Sequence, residues 1–265
     1  MKTKRLRIEE KVRIIKNNLK NKDVFTISDV EPLLNKKRST LYWTLWNLVE
    51  KGYLSRVGKG LYSLYEKKEP VSPIISKTGK KVIKILEGSG YQFFISGLDI
   101  LSVFMEHIPE RFPVILFVER NSINEIVDLL IENGIDALPN VKEDIFSILR
   151  QLYSAKEIVL VYTTNEFKYS NKGRASIEKA FVDIYYEVTR KGYPLSLQEL
   201  ARIYLNMRRR IRLDTSRMTK IASRRSLHYD IRYIIENRQI SEKAVEFVKI
   251  INSIENKRNL GHTKR

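Results

Sequence analysis

Apolar positions recur at helical spacing at the start of the chain. Leu6, Ile8, Val12, Ile15 and Leu19 form one stripe, which predicts a helix over residues 5–20. "TISDVEPLL" follows, and Thr26 with Asp29 three residues later is a capping-box pattern, so a short second helix starts there. After the turn "NKK", the run "RSTLYWTLWNLVEKG" predicts a third helix. Its inner face is Leu41, Leu45, Leu48 and Val49, and Gly52 closes it at the C′ position. "YLSRVGKGLYSLY" then reads as strand, turn and strand. Gly58 and Gly60 bracket Lys59 in a chain with only 11 glycines, which marks a tight turn presenting a lysine.

Helix, helix, tight turn, helix and hairpin is the order of a winged helix-turn-helix, with "VGKG" as the wing tip. In such a unit the N-terminal half of the third helix enters the DNA major groove. Arg38, Ser39, Thr40, Tyr42 and Trp43 lie off its apolar stripe, with Lys36 and Lys37 just before its start. Lysines suit phosphate contacts, as do Arg56 and Lys59 in the wing, whereas Arg38 suits guanine. The same unit also serves as a protein-interaction module, with Tyr42 and Trp43 as core or interface aromatics. The cations at the helix start oppose the helix dipole unless they meet an anion, which favours DNA.

"EKKEPVSP", residues 66–73, reads as a linker. The expected division is a winged helix over 1–68, a linker over 69–75, and a second domain over 76–265. That domain opens with a helix ("SKTGKKVIKILEG"), a strand ("YQFFIS"), a helix ("GLDILSVFMEHI") and a strongly apolar strand ("FPVILFVE"). "NSINEIVDLLIENG" is a helix with Ser122 and Glu125 as a cap pair, "DAL" a short strand and "EIVLVYTT" a buried strand. Beyond residue 175 the pattern is wholly helical, with cap signals at Ser196 and Asp214. The expected class is therefore α/β (α+β overall), a winged helix followed by an α/β domain with a helical C-terminal portion.

Charge sharpens this picture. The chain of 265 residues carries a net +18. Residues 1–73 hold +9, residues 74–200 hold −2 and residues 201–265 hold +11. Abundant Lys, Glu and Ile without cysteine is thermophile-like, but that composition does not explain the imbalance. Basic ends around a neutral centre point to nucleic acid. The densest run is "RRRIRLDTSRMTKIASRRS". It holds Arg208, Arg209, Arg210, Arg212, Arg217, Lys220, Arg224 and Arg225 against Asp214 alone. Two readings stay open: an extended nucleic-acid footprint, DNA or RNA, or a surface for a partner protein.

Three stretches occur in a familiar order: "GKGLYSL" in the wing, "FISGLDILSVFMEHI" after the linker, and "GRASIEKAFVDIYYEV". Together they resemble the AbiEi-type antitoxins of type IV toxin–antitoxin systems. The matching positions are Gly60-Leu61-Tyr62, Ser96 to His107, and Ala175 to Asp183, where Ile177 and Lys179 replace the family's usual proline and arginine. The resemblance implies a transcriptional regulator that binds double-stranded DNA at inverted repeats before its own operon and opposes a nucleotidyltransferase-like toxin. A second likeness runs from Phe93 to Arg120, which looks like the opening of a nucleotidyltransferase domain. Val114 and Leu116 stand where such enzymes carry paired carboxylates, so a shared fold would be catalytically silent.

Other chemistry is absent from the sequence. His107, His228 and His262 lack metal-ligand spacing, there is no P-loop or nucleophile elbow, and the lack of cysteine removes disulfides and thiolate metal sites. Asp99 and Asp183 sit among apolar residues and read as structurally paired carboxylates. No enzyme activity, cofactor or metal is expected. The N-terminus has no apolar signal-peptide core and no run is long enough to span a membrane, so the cytoplasm is the expected compartment. The alternative function is a nucleic-acid-directed enzyme that uses the winged helix for targeting, or a regulator without a toxin.

Overall fold

A computed structural model of the chain describes residues 7–22, 24–58, 60–64, 71–141, 145 and 157–250. The N-terminal elements are α1 (Ile8–Leu19), β1 (Phe25–Thr26), α2 (Ile27–Leu34), α3 (Arg38–Glu50), β2 (Leu54–Gly58) and β3 (Leu61–Leu64). The expected capping box forms: Thr26 N–H donates to Asp29 Oδ2 at 2.7 Å, fixing the start of α2. Asn35, in the left-handed region at φ 46°, ends that helix. β2 and β3 form an antiparallel hairpin with an irregularity between Arg56 and Gly58, and Gly60 turns it at φ 74°. β1 pairs with β3, giving the sheet order β1-β3-β2. Val12, Ile15, Val30, Leu41, Leu45 and Leu54 fill the space between helices and sheet. This is a winged helix. The expected wing-tip residue Lys59 lies outside the described residues.

A second apolar cluster belongs to the rest of the chain. Its elements are α4 (Lys77–Leu86), β4 (Phe93–Ser96), α5 (Leu98–Leu101), β5 (Val114–Glu119), α6 (Ile123–Glu132), β6 (Asp136–Pro139) and β7 (Ile158–Thr164). The short pair β8 (Ser170–Asn171) and β9 (Arg174–Ala175) follows. Then come α7 (Ile177–Lys191), α8 (Leu197–Arg210), α9 (Thr215–Ser223) and α10 (His228–Asn237), with residues 242–250 again helical. The sheet order is β6-β7-β5-β4-β9-β8. β6, β7 and β5 are mutually parallel, β4 is antiparallel to β5, and β9 is parallel to β4. β5 is buried along nearly its whole length and β7 from Val159 to Tyr162, which is why these stretches are continuous apolar runs rather than alternating ones. α7 packs on β4, α5, α8 and α9 and is the axle of this half.

Two local expectations are corrected, and one hairpin was not foreseen. The helix expected over "GLDILSVFMEHI" stops after one α turn and a 3-10 turn at Ser102–Phe104, and the chain is extended from Met105. Its last carbonyls are claimed from outside: Asn206 Nδ2 donates to Phe104 O at 2.9 Å, and the Arg210 guanidinium donates to Val103 O. Ser122 does not cap α6. Its hydroxyl donates back to Glu119 O at 3.0 Å, closing a 3-10 turn before the helix. The hairpin β8–β9 carries no strong alternation, and its turn rests on Lys172 and Gly173 at φ 47° and 68°. The caps at Ser196 and Asp214 form as expected, on Glu199 N–H and Arg217 N–H.

Gly79 supplies a test of this packing. It lies inside α4, where alanine ordinarily adds up to about 1 kcal/mol of helix stability. Here a Cβ would overlap Asp99 Oδ1 and sit 2.9 Å from Ile75 Cγ2. Asp99 is fully buried, held by Ser76 N–H at 2.9 Å, and cannot swing away to water. Gly79→Ala is expected to destabilise the protein by about 1–3 kcal/mol, measured by chemical denaturation.

Candidate nucleic-acid interface

α3 turns Leu41, Thr44, Leu45 and Leu48 into the core and leaves its other side bare. Lys37, Arg38, Ser39, Thr40, Tyr42 and Trp43 are exposed, Lys36 is half-buried, and Arg56 is exposed on the wing strand β2. Arg38 makes a long contact to Ser28 Oγ at 3.4 Å, which ties it to the first turn of α2. The N-cap residue Lys37 offers no side-chain cap, and no acid stands in the first turn. The first backbone donors of α3 are thus flanked in sequence by three cations and no acid, an arrangement that suits phosphate.

The same face holds a residue not singled out from the sequence. Trp46 is 56% exposed, beside Tyr42 at 54% and Trp43 at 62%. Its spacing of four from Tyr42 and three from Trp43 puts it on their side of the helix. The stripe Leu41, Leu45, Leu48 already excluded it from the core, so the signal was present.

The basic run of residues 208–225 does not form a single face. Arg217 pairs with Glu178 at 3.4 Å and Asp214 at 3.5 Å, Arg224 with Glu166, and Arg225 with Asp183 at 3.1 Å. Arg210 is bound to Val103 O and lies 5.6 Å from the Phe104 ring centroid, and Arg208 lies 5.8 Å from that of Tyr204. Arg209, Arg212 and Lys220 are exposed. The run looked unopposed because its acids come from other elements.

One of those acids anchors a buried charge cluster. Asp183, fully buried on α7, accepts from Ser96 Oγ at 2.7 Å and from Lys179 Nζ at 2.5 Å, with Arg225 at 3.1 Å. One turn along α7, Glu187 accepts from Tyr162 at 2.8 Å and pairs with Lys191 at 3.4 Å. Burial pushes the Lys179 ammonium down to about 8, against the pull of Asp183 and with a further push from Arg225. Burial likewise lowers Lys191 and raises Glu187. Ser96, which precedes a buried glycine turn, is thus a donor to Asp183. Val114 and Leu116 are apolar core of β5. Among the described residues, no three His, Asp or Glu side chains gather closely enough to hold a metal ion.

Residues 40–241 match the model of a family of unknown function, DUF6577. The chain belongs to that family. Residues 13–65 of this DUF6577 chain also match a model described as a transcriptional regulator, the AbiEi antitoxin. That second match covers the winged helix from α1 to β3, so the resemblance read from the wing is supported there. Its description is that of a regulator and not of an enzyme. Neither match carries the nucleotidyltransferase likeness. No curated protein matches the DUF6577 chain. Among its described residues no helix is long and apolar enough to cross a membrane.

Two outcomes test the charge cluster. Asp183→Asn strips Lys179 and Arg225 of their shared counter-charge, and stability is expected to fall by about 3–5 kcal/mol in denaturant titrations. Lys179 has a folded value near 8 and an ordinary value of 10.5. Between these the folded protein binds fewer protons than the unfolded chain, so this group's contribution to stability rises with pH across the window. Wild type should therefore gain stability relative to Lys179→Gln as pH is raised from 8 towards 10.5; a constant difference would contradict the assignment.

Proposed function

We propose that this DUF6577 protein is a DNA-binding transcriptional regulator of the AbiEi antitoxin kind. The observation that carries the reading is the bare face of α3, with its uncapped, cation-flanked N-terminus and its exposed Arg38, Ser39, Thr40, Tyr42 and Trp43. Arg38 reads a base edge in the major groove, Lys36, Lys37, Arg56 and Lys59 hold phosphates, and Tyr42 and Trp43 pack against sugar or base. The match of residues 13–65 to an antitoxin regulator supports the same reading. The proposal includes a winged-helix domain over 1–68, a linker over 69–75 and a second domain over 76–265, supported by two separate clusters of buried apolar residues. It extends to binding at inverted repeats upstream of the protein's own gene and to a nucleotidyltransferase-like toxin as partner. Arg209, Arg212 and Lys220 lengthen the contact along the backbone.

The deciding experiment is a titration against the DNA upstream of the gene, beside a shuffled duplex, at physiological salt. A preference of about a thousandfold or more is expected; equal, salt-labile binding to both would defeat the reading. Arg38→Ala should weaken the specific duplex by about 1–3 kcal/mol and the shuffled one much less. Both tryptophans of the chain, Trp43 and Trp46, lie on the exposed side of α3. Operator binding should therefore shift their emission to the blue as the indoles leave water, and an unchanged spectrum at saturation would place the contact elsewhere.

A further inference from the structure

At the carboxyl ends of β5, β6 and β7 a pocket of about 400 Å³ opens beside the buried charge cluster. Asn140 follows β6, Thr163 lies one residue before the end of β7 and Phe117 comes from β5, while Tyr186 and Lys191 come from α7. Arg224, Arg225 and Ser226 close it from the turn after α9. Ligands of open α/β sheets bind outside the carboxyl ends of parallel strands, because the side chains and loops there converge on a crevice. This pocket has that position, and its size is that of a small-molecule site.

Its charges are unbalanced. Lys179, Lys191, Arg224 and Arg225 stand against Asp183, Glu187 and Glu166, leaving one cation in excess, and Lys179 and Arg225 share the fully buried Asp183. An anion bound beside Arg225 balances that excess. Arg225 is already immobilised: one nitrogen is on Asp183, and its guanidinium carbon lies 5.0 Å from the Phe117 ring centroid and 5.2 Å from that of Tyr186. Its planar fork needs little further ordering to grip a phosphate. Lys191 sits 3.7 Å from the Tyr162 ring centroid at the same wall.

Asn140 and Ser226 both line the pocket at positive φ, 46° and 56°. Ser226 does so in the turn that ends α9, where Leu227 N–H donates to Ala222 O at 2.9 Å. Asn140 and Thr163 add amide and hydroxyl groups suited to the edge of a heterocycle.

We propose that this pocket binds a free mononucleotide, with the phosphate on Arg225, Lys191 and Arg224 and the base along Tyr186. The site is separate from α3, so the proposal stands whether or not the winged helix reads DNA.

The test is calorimetric titration of the full chain, without DNA, with AMP, GMP, CMP and UMP, and with inorganic phosphate and adenosine as controls. Saturable binding of at least one mononucleotide is expected, about tenfold or more tighter than either control. Arg225→Lys and Tyr186→Leu should each weaken it about tenfold or more while the protein still melts cooperatively. Arg224→Ala, exposed and outside the Asp183 cluster, gives a variant whose folding is not at stake and should weaken binding in the same direction. No saturable binding of any mononucleotide up to about 5 mM would overturn the proposal. So would equal affinity for inorganic phosphate, or unchanged affinity in folded Arg224→Ala and Tyr186→Leu.

Discussion

The second half of the molecule depends on keeping ionised groups inside a helix that is buried on nearly every side. α7 carries Lys179, Asp183 and Glu187 on successive turns, all buried. A helix with that content is stable in the interior only if each charge finds a fixed partner, because the alternative is desolvation without return. The partners arrive from three directions: Ser96 from the end of β4, Tyr162 from β7, and Arg225 from the turn after α9. The cluster therefore does more than neutralise charge. It fixes where the sheet, α7 and α9 meet, a relationship that apolar contacts alone would leave free to slide.

The winged helix was largely legible in the sequence because its determinants are local. The stripe Leu41, Leu45, Leu48 sets the inward side of α3, the Thr26–Asp29 pair starts α2, and two glycines mark the wing. What escaped was decided at long range. α5 is short because Asn206 and Arg210, far along the chain, take the carbonyls its continuation needs. Ser122 had the spacing of a cap, yet its hydroxyl closes the preceding turn. The arginine-rich run read as one unopposed surface, since a linear reading sees only Asp214; Glu166, Glu178 and Asp183 oppose it in space. Asp183 itself was read as a paired carboxylate, and its partners could not be named from spacing beyond Lys179 four residues before it on the helix.

The two halves also touch directly. α9 packs against β2 of the wing as well as against α7, and Arg238 donates to Asn21 O at 3.2 Å. A helix of nine residues thus has the β2–β3 hairpin on one flank and the charge cluster at its C-terminal end. Few of its positions are without a neighbour in one unit or the other.

This shared wall limits how the molecule can be rebuilt. A winged helix borrowed from another protein would have to bring along a β2 strand that fits α9, not just a new α3. Altering the outer face of α3 in place leaves that fit untouched. The outer face of α3 is therefore open to substitution, while exchange of the whole unit has to renegotiate its seat on α9.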